Sequence, residues 1–327
     1  MAPGNRNNPK RAGGSESTYT IMDFARDFPD DAHCLTYLWQ RHYDLGDDRA
    51  HCPKCEEIRK FHRVAARPSF SCDSCGHHIH PTAGTIMHKS STSLQLWFHA
   101  IFLMSSTRCG ISAKQLERDL GVTYKTAWRM FTLIRNHLMS QDGSTLSGTV
   151  EADEMYVGGK PRQSDRASWA AAASSTERRQ AAQKWSRDHK TPVFGMVERG
   201  GKSAAHVVPQ QPQRAIMGHI EARVDRSAML YTDDARIYDK VTERTGIVHD
   251  TINHSARVYV RGDVHTNTIE GVWANIKTGI VGTHHHVSPK WLQGYLNEYV
   301  WRYNRRHDSH PMFLSLIESI APVGPVQ

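Results

Sequence analysis

The sequence predicts an α/β layered protein in its C-terminal half, preceded by a small cysteine-held unit and a helical segment. Three observations carry this. Two matched Cys-x-x-C pairs lie near the N-terminus. Apolar residues then recur at helix spacing from Leu94 to about Met139. From Thr149 onward short strand-like runs alternate with helical stretches, the pattern of strands and helices in layers.

The chain has 327 residues, and 39% of them are hydrophobic, enough to fill an ordinary core. That excludes a mainly disordered chain and a disulfide-stapled miniprotein. The longest apolar run, Leu94–Met104, is broken by His99 and falls well short of the roughly 20 residues that span a bilayer. Met1–Gly14 is polar and rich in Pro, Gly and Asn, unlike a secretory signal. The expectation is a soluble cytoplasmic protein without a membrane partner.

Lys and Arg number 41 against 33 acidic residues, a formal net charge of +8. The excess is concentrated. Arg108–Arg135 carries six basic and two acidic residues, and Gly159–Lys190 carries eight against three, so the remainder is close to neutral. Two discrete basic segments in a balanced chain point to contacts with nucleic-acid phosphates.

Cys52-Pro-Lys-Cys55 and Cys72-Asp-Ser-Cys75 stand sixteen residues apart. Each turn aims two thiolates at one point, and two such turns complete a tetrahedral Zn²⁺ site of the closed, structural kind. Ile58–Phe70 between them is the expected hairpin of a zinc ribbon. His51, His77, His78 and His80 lie near enough to replace a cysteine, and Cys34 and Cys109 read as buried thiols.

Gly110–Trp128 has helix-turn-helix proportions. Ser112 is placed to cap the first helix, with Gln115 reaching back to complete the box. Gly121 supplies the turn, and Thr123 caps a second helix bearing Tyr124, Lys125, Arg129 and Arg135. In a major groove its N-terminal residues would face base edges. An ordinary helical hairpin built on Leu116, Leu120, Ala127 and Ile134 is the plainer alternative.

The expected organisation is a basic tail over 1–17, a zinc-ribbon domain over 18–90 and a helix-turn-helix domain over 91–140. A polar linker, Gln141–Gly148, leads to an α/β domain over 149–310 with a basic insertion at 159–190, and 311–327 forms a tail. Strands are expected at Thr149–Val157, Val193–Glu198, Ala204–Val208 and Met229–Thr232, and helices at Arg214–Arg223, Ala235–Glu243 and Pro289–Asn304. Trp169–Ala173 reads as a mobile or helical excursion.

Four residues in this half have the chemistry of a metal-dependent phosphoryl-transfer site. Asp153 lies within one strand, Asp233 follows another, Glu270 opens a helix, and Lys277 stands seven positions later, close to two turns and about 10 Å along the same face. Such transfer needs two divalent ions held by carboxylates, Mg²⁺ or Mn²⁺ for hard oxygen donors, with a lysine holding phosphate. On spacing alone, each carboxylate is equally readable as a surface residue.

The sequence resembles the zinc-ribbon DDE transposases of bacterial insertion sequences, the ISXO type related to Merlin elements. The resemblance is carried by Val150–Lys160, Thr191–Glu198, Tyr231–Asp234, Asn253–Trp273, Gly282–Lys290 and Leu296–Arg306, together with the cysteine pairs and the helical hairpin, in order over about residues 30–310. It implies an RNase H-like catalytic domain with Asp153, Asp233, Glu270 and Lys277 on the acidic triad and its lysine, Asp234 standing beside Asp233 as the other choice for the second acid. It implies double-stranded DNA as partner, both transposon ends and target, and at least a homodimer in the active complex, associated with the bacterial nucleoid. Thr123, Tyr124, Lys125 and Arg129 would contact the ends, and Lys160, Arg162, Arg178 and Arg179 flanking or target DNA. Two other functions compete. A non-catalytic DNA-binding regulator needs the ribbon and hairpin but not the acids. A tyrosine-nucleophile nuclease would use His284–His286 with Tyr295 and Tyr299, although Trp291, Tyr295, Tyr299 and Tyr303 also form an ordinary packing stripe.

Overall fold

The computed structural model describes residues 19–321, apart from 108, 160, 172–173, 210–212 and 253–264 and the side chain of 187. The expected basic tail, Lys160 among the DNA-contacting residues, and most of the Asn253–Trp273 motif before its helix lie outside the described residues. The chain divides into two compact units, one containing residues up to Met139 and from Arg305, the other Ser140–Asn304.

In the first unit, α1 (Ile21–Asp27) opens with a capping box between Thr20 and Asp23, and α2 (Asp31–His42) is capped by Asp30. The cysteine pairs close a four-stranded antiparallel sheet in the order β1 (Arg49–Cys52), β2 (Glu57–Val64), β3 (Ser69–Cys72) and β4 (His78–Ile79). So small a sheet has little core of its own. It borrows Trp39 of α2, whose ring stacks on Phe70 with centroids 4.3 Å apart and lies 5.3 Å from Phe61. α3 (Leu94–Ser106) is apolar almost all round and is buried accordingly. Its Phe98 and Phe102 join Phe24, Phe28 and Phe313 in an aromatic cluster.

Two expectations differ here. The ribbon and the helices after it were expected as separate domains, yet they share one compact unit. Residues 311–327 were expected as a tail, yet the short helix Met312–Glu318 buries Phe313, Leu316 and Ile317 in that unit. The apolar spacing of those three residues is the physical reason.

α4 (Ala113–Leu120) is capped by Ser112, whose Oγ accepts from Gln115 N–H at 3.1 Å. The Gln115 side chain does not reach back: it donates forward to Asp119 at 2.6 Å. Gly121 ends the helix at φ +64°, a left-handed conformation cheap only for glycine. Thr123 then caps α5 (Tyr124–Leu133), which continues through a π turn, Ile134–Leu138. Arg135 is buried, with its guanidinium carbon 3.5 Å from the Phe131 ring centroid. It follows Ala127 and Phe131 at four-residue steps and so belongs to the inner face, not to the exposed face with Lys125 and Arg129. Cys109, expected inside, is exposed.

The second unit is built on a five-stranded sheet of β5 (Thr149–Val157), β6 (Thr191–Glu198), β7 (Ser203–Val207), β8 (Met229–Asp233) and β9 (Val248–Ile252), in spatial order β7-β6-β5-β8-β9. β5, β6 and β7 run antiparallel; β8 and β9 lie parallel to β5 on its other side. Alternation sorts β5 by face. Val150 and Ala152 join the core with Phe194, Leu230 and Ile216, while Glu151 and Asp153 face the other way.

The insertion after β5 forms two helices, α6 (Gln163–Ala170) and α7 (Ser175–His189), which meet through Trp169 and Trp185 at 6.1 Å. α8 (Gln213–Arg223) covers the apolar face. Where one helix was expected over Ala235–Glu243, a 3₁₀ turn (Arg236–Tyr238) precedes α9 (Val241–Thr245), which stops at Gly246. α10 (Asn267–Gly279) runs into a π turn, and α11 (Pro289–Asn304) follows. The expected linker is part of this unit: Leu146 is buried and bridges Val224.

β7 is an edge strand, and side-chain amides cover its outer backbone. Asn304 accepts from Ser203 N–H at 2.7 Å and donates to its carbonyl at 3.0 Å. Gln141 does both to Ala205, and Gln293 accepts from Val207 N–H. Three amides at every second residue thus replace a neighbouring strand.

His206 of β7 stacks on His219 of α8 with centroids 4.2 Å apart. Burial, then the nearby His219 and Arg223, push its pKa down to about 4. The unfolded imidazole takes a proton near 6.5 and the folded one resists it, so this stability is present above 6.5 and is lost as pH falls toward 4. Urea unfolding of the parent and His206→Phe side by side should show the parent losing about 2 kcal/mol relative to the variant between pH 7 and pH 5.

Candidate active site and metal centre

In the first unit, the Cys52, Cys55, Cys72 and Cys75 sulfurs all lie within 4.8 Å of one another. Cys52 and Cys75 Sγ are 3.6 Å apart, and Cys55 and Cys72 Sγ 3.9 Å. Four thiolates at about 2.3 Å from a tetrahedral Zn²⁺ stand about 3.8 Å from each other, so the donor set fits that ion and is far from disulfide distance.

In the second unit, the arrangement begins with Glu151. Its carboxylate is completely buried and accepts from Thr268 N–H at 2.7 Å, Ile269 N–H at 3.0 Å and Thr268 Oγ at 2.9 Å. These are unpaired donors in the first turn of α10, where a negative charge also meets the positive end of the helix dipole. Arg199 Nε, 2.7 Å away, pairs with the same carboxylate, and His265 Nδ1 lies at 3.2 Å. Glu151 thereby clamps α10 to β5 two residues from Asp153.

One turn further along α10, Trp273 packs against the sheet at Gly195. Its indole donates to Asp153 Oδ2 at 3.0 Å, and a Cβ on Gly195, Asp153's partner in β6, would stand 2.2 Å from the ring. On the other side, the β5–β8 register pairs Glu151 with Tyr231. Two residues on, the same offset aligns Asp153 with Asp233, whose Oδ1 accepts from Ala235 N–H at 3.1 Å. Glu154, on the opposite pleat, accepts from the buried Tyr238 hydroxyl at 2.5 Å.

The carboxylates influence one another. Asp153 is pushed up to about 6, first by burial and then by Asp233 and Glu270, while a backbone hydrogen bond and Trp273 pull it down. Glu154 is pushed up to about 7, again by burial first, with Asp153 and Asp233 adding to the rise against Tyr238's donation. Asp153 and Asp233 are thus neighbours, with Glu270 within electrostatic reach. Asp153, Asp233 and Glu270 do not, however, converge to ligand distance: among the described residues the four cysteines are the one group whose donors do so. Glu270, Lys277 and Asp234 are exposed. Hard carboxylate oxygens around a partly enclosed Asp153 fit Mg²⁺ or Mn²⁺ by donor chemistry.

Among the other predicted residues, Tyr124, Lys125 and Arg129 are exposed on α5, with Lys114 Nζ 5.7 Å from the Tyr124 ring centroid, and Thr123 is occupied as the cap. Arg162 precedes α6, and Arg178 and Arg179 are exposed on α7. Tyr295 and Tyr299 are buried on α11, where the Tyr299 hydroxyl lies so close to Gly279 that a Cβ there would be 2.2 Å from it.

The profile of the ISXO2-like transposase domain matches residues 145–304, the span that contains the sheet and its carboxylates. A protein described as an uncharacterized protein in transposable element ISH50, from Halobacterium salinarum, is 30% identical over 260 residues, covering 77% of this chain and 84% of the relative. The chain belongs to the ISXO2-like transposase family.

Within this family member, sequence reasoning overlooked Glu151, Gly195 and Trp273. The signals were present: a second carboxylate on the same strand face as Asp153, a glycine in the middle of another strand, and an aromatic one turn after Glu270.

Two outcomes follow. Purified protein should carry one zinc per chain by elemental analysis, and Cys55→Ser with Cys75→Ser should abolish it and leave Arg49–Ile79 open to limited proteolysis. Asp153 binds its proton more tightly folded than unfolded, so its charge costs stability once pH passes from 3.8 through about 6. Without divalent metal, Asp153→Asn should therefore raise unfolding stability by about 3 kcal/mol at pH 7.5 and by almost nothing at pH 3.5, as denaturant titration would show.

Proposed function

We propose that the chain is a DNA transposase that binds the terminal inverted repeats of its insertion sequence and cleaves and joins DNA strands at Asp153, Asp233 and Glu270. The observation that carries the reading is that Asp153 on β5 feels the charges of Asp233, at the end of the adjacent β8, and of Glu270 on α10. The strand order, three antiparallel strands followed by two parallel ones, supports an RNase H-like fold for this unit. The three carboxylates would hold two Mg²⁺ or Mn²⁺ ions, which supply a nucleophile at neutral pH and stabilise the leaving oxygen. Lys277 holds a phosphate as a point charge.

Water attacks phosphorus at the element's end, the P–O3′ bond breaks and the 3′ oxygen takes a proton. That 3′-hydroxyl then attacks a target phosphodiester, joining end to target and releasing the target's own 3′-hydroxyl. No covalent enzyme intermediate forms. Two ends must be held together, so the working form is a dimer or larger. The zinc ribbon and a helix-turn-helix of α4 and α5, through Thr123, Tyr124, Lys125 and Arg129, recognise the ends, and Arg162, Arg178 and Arg179 hold flanking or target DNA. The burial of Tyr295 and Tyr299 speaks against the tyrosine-nucleophile reading.

Mg²⁺-dependent nicking of an end-bearing duplex tests this. Asp153→Asn and Asp233→Asn should each lower nicking at least a thousandfold while DNA binding survives, and Asp234→Asn should leave it within threefold of the parent. Undiminished cutting by Asp153→Asn overturns the assignment, and binding without cutting by the parent would favour a regulator.

A further inference from the structure

The first unit contains a cleft of about 650 Å³ between the β2–β3 turn, the segment after β4 and the start of α3, in the size range of ligand sites. Arg63, Arg67, His80, His88 and Lys89 line it, against one carboxylate, Asp31. That carboxylate is already committed: its Oδ1 accepts from Ser93 Oγ at 2.5 Å and Gln95 N–H at 2.9 Å, where α3 begins. The lining therefore carries three side chains of permanent positive charge, Arg63, Arg67 and Lys89, against one carboxylate that is hydrogen-bonded to the protein.

The walls are firmly built. Arg63 Nη1 bonds the carbonyls of Val64, Arg67 and Ser69, closing the hairpin turn, and its Nε and Nη2 carry three further donors. His80 Nδ1 lies 3.2 Å from the Pro68 carbonyl, joining the two walls. His88 Nδ1 accepts from Gly84 N–H at 2.9 Å, which places the proton of the neutral ring on Nε2. Thr85, Ile86 and Met87 are buried and anchor the segment that carries His88 and Lys89. Arg67 and Lys89 are exposed and have no acidic partner among the described residues. A cleft lined by one sign of charge concentrates its field on an incoming anion.

We propose that this cleft is a seat for the phosphodiester backbone of duplex DNA, with Arg67 and Lys89 as its phosphate contacts. It gives the zinc-held sheet its share in holding the ends: gripping the backbone while α5 reads bases. The proposal rests on the reading of the chain as DNA-acting and is independent of the carboxylate chemistry.

The test is equilibrium binding of the zinc-loaded full chain to an end-bearing duplex and to an unrelated duplex, by fluorescence anisotropy at several salt concentrations without divalent metal. Arg67→Glu with Lys89→Glu should weaken both duplexes by a similar factor, at least tenfold at 100 mM salt. The log–log salt slope should flatten by about 2, near 0.9 per lost phosphate contact. Arg67→Gln with Lys89→Gln should show the same flattening with full zinc content, which separates lost contacts from an unfolded ribbon. Arg226→Glu, outside the cleft, should move the slope by less than half as much. Parental affinity and slope in both double variants overturn the seat alone, and so does a loss confined to the end-bearing duplex, which would mean base reading. A parent that binds neither duplex overturns the seat together with the DNA reading. Failure of the carboxylates would appear only in the nicking assay.

Discussion

The second unit depends on one buried charge. Glu151 has no access to water, and an ion so placed is tolerable only if every lone pair is answered. The answers come from the first turn of α10, from Arg199 and from His265, so satisfying Glu151 and placing α10 are one event. The helix cannot slide along the sheet without orphaning both a carboxylate and its own first N–H groups. Trp273 then lies against Gly195 and reaches Asp153, and Glu270 rides on the same fixed rod. Interior electrostatics in this way set the position of groups that stand at the surface.

The first unit obtains its rigidity differently. Its sheet has four short strands and little interior, and two Cys-x-x-C turns with a single borrowed tryptophan take the place of a core. A hairpin tied by four clustered cysteines can leave its side chains outward and charged, because its shape does not depend on burying them. The cationic lining near Arg63 and His80 is a consequence of that economy.

Local signals in the sequence were legible wherever the physics is local. Ser112, Gly121 and Thr123 act where their chemistry says they should, since capping and a left-handed turn depend on a few neighbouring atoms. The cysteine spacing announced its cluster for the same reason. Arg135 misled because its charge outweighed its four-residue spacing from Phe131, and it lies within the π turn Ile134–Leu138. β9 went unseen because Val248–Ile252 carries a histidine and an aspartate, and its strand character comes from lying beside β8. Glu151 was hidden for a deeper reason: its partners stand 48 to 118 residues further along the chain, and nothing near it says that they will arrive.

The covering of β7 by Asn304, Gln141 and Gln293 has a consequence for assembly. A strand whose outer hydrogen bonds are already answered by amides offers no template to a second sheet, so copies of this chain cannot join into a continuous ladder along that border. Any partner approaching from that side meets helix and side chains. Any contact between copies there would be a matter of shape and charge, instead of the near-permanent zippering of backbone to backbone.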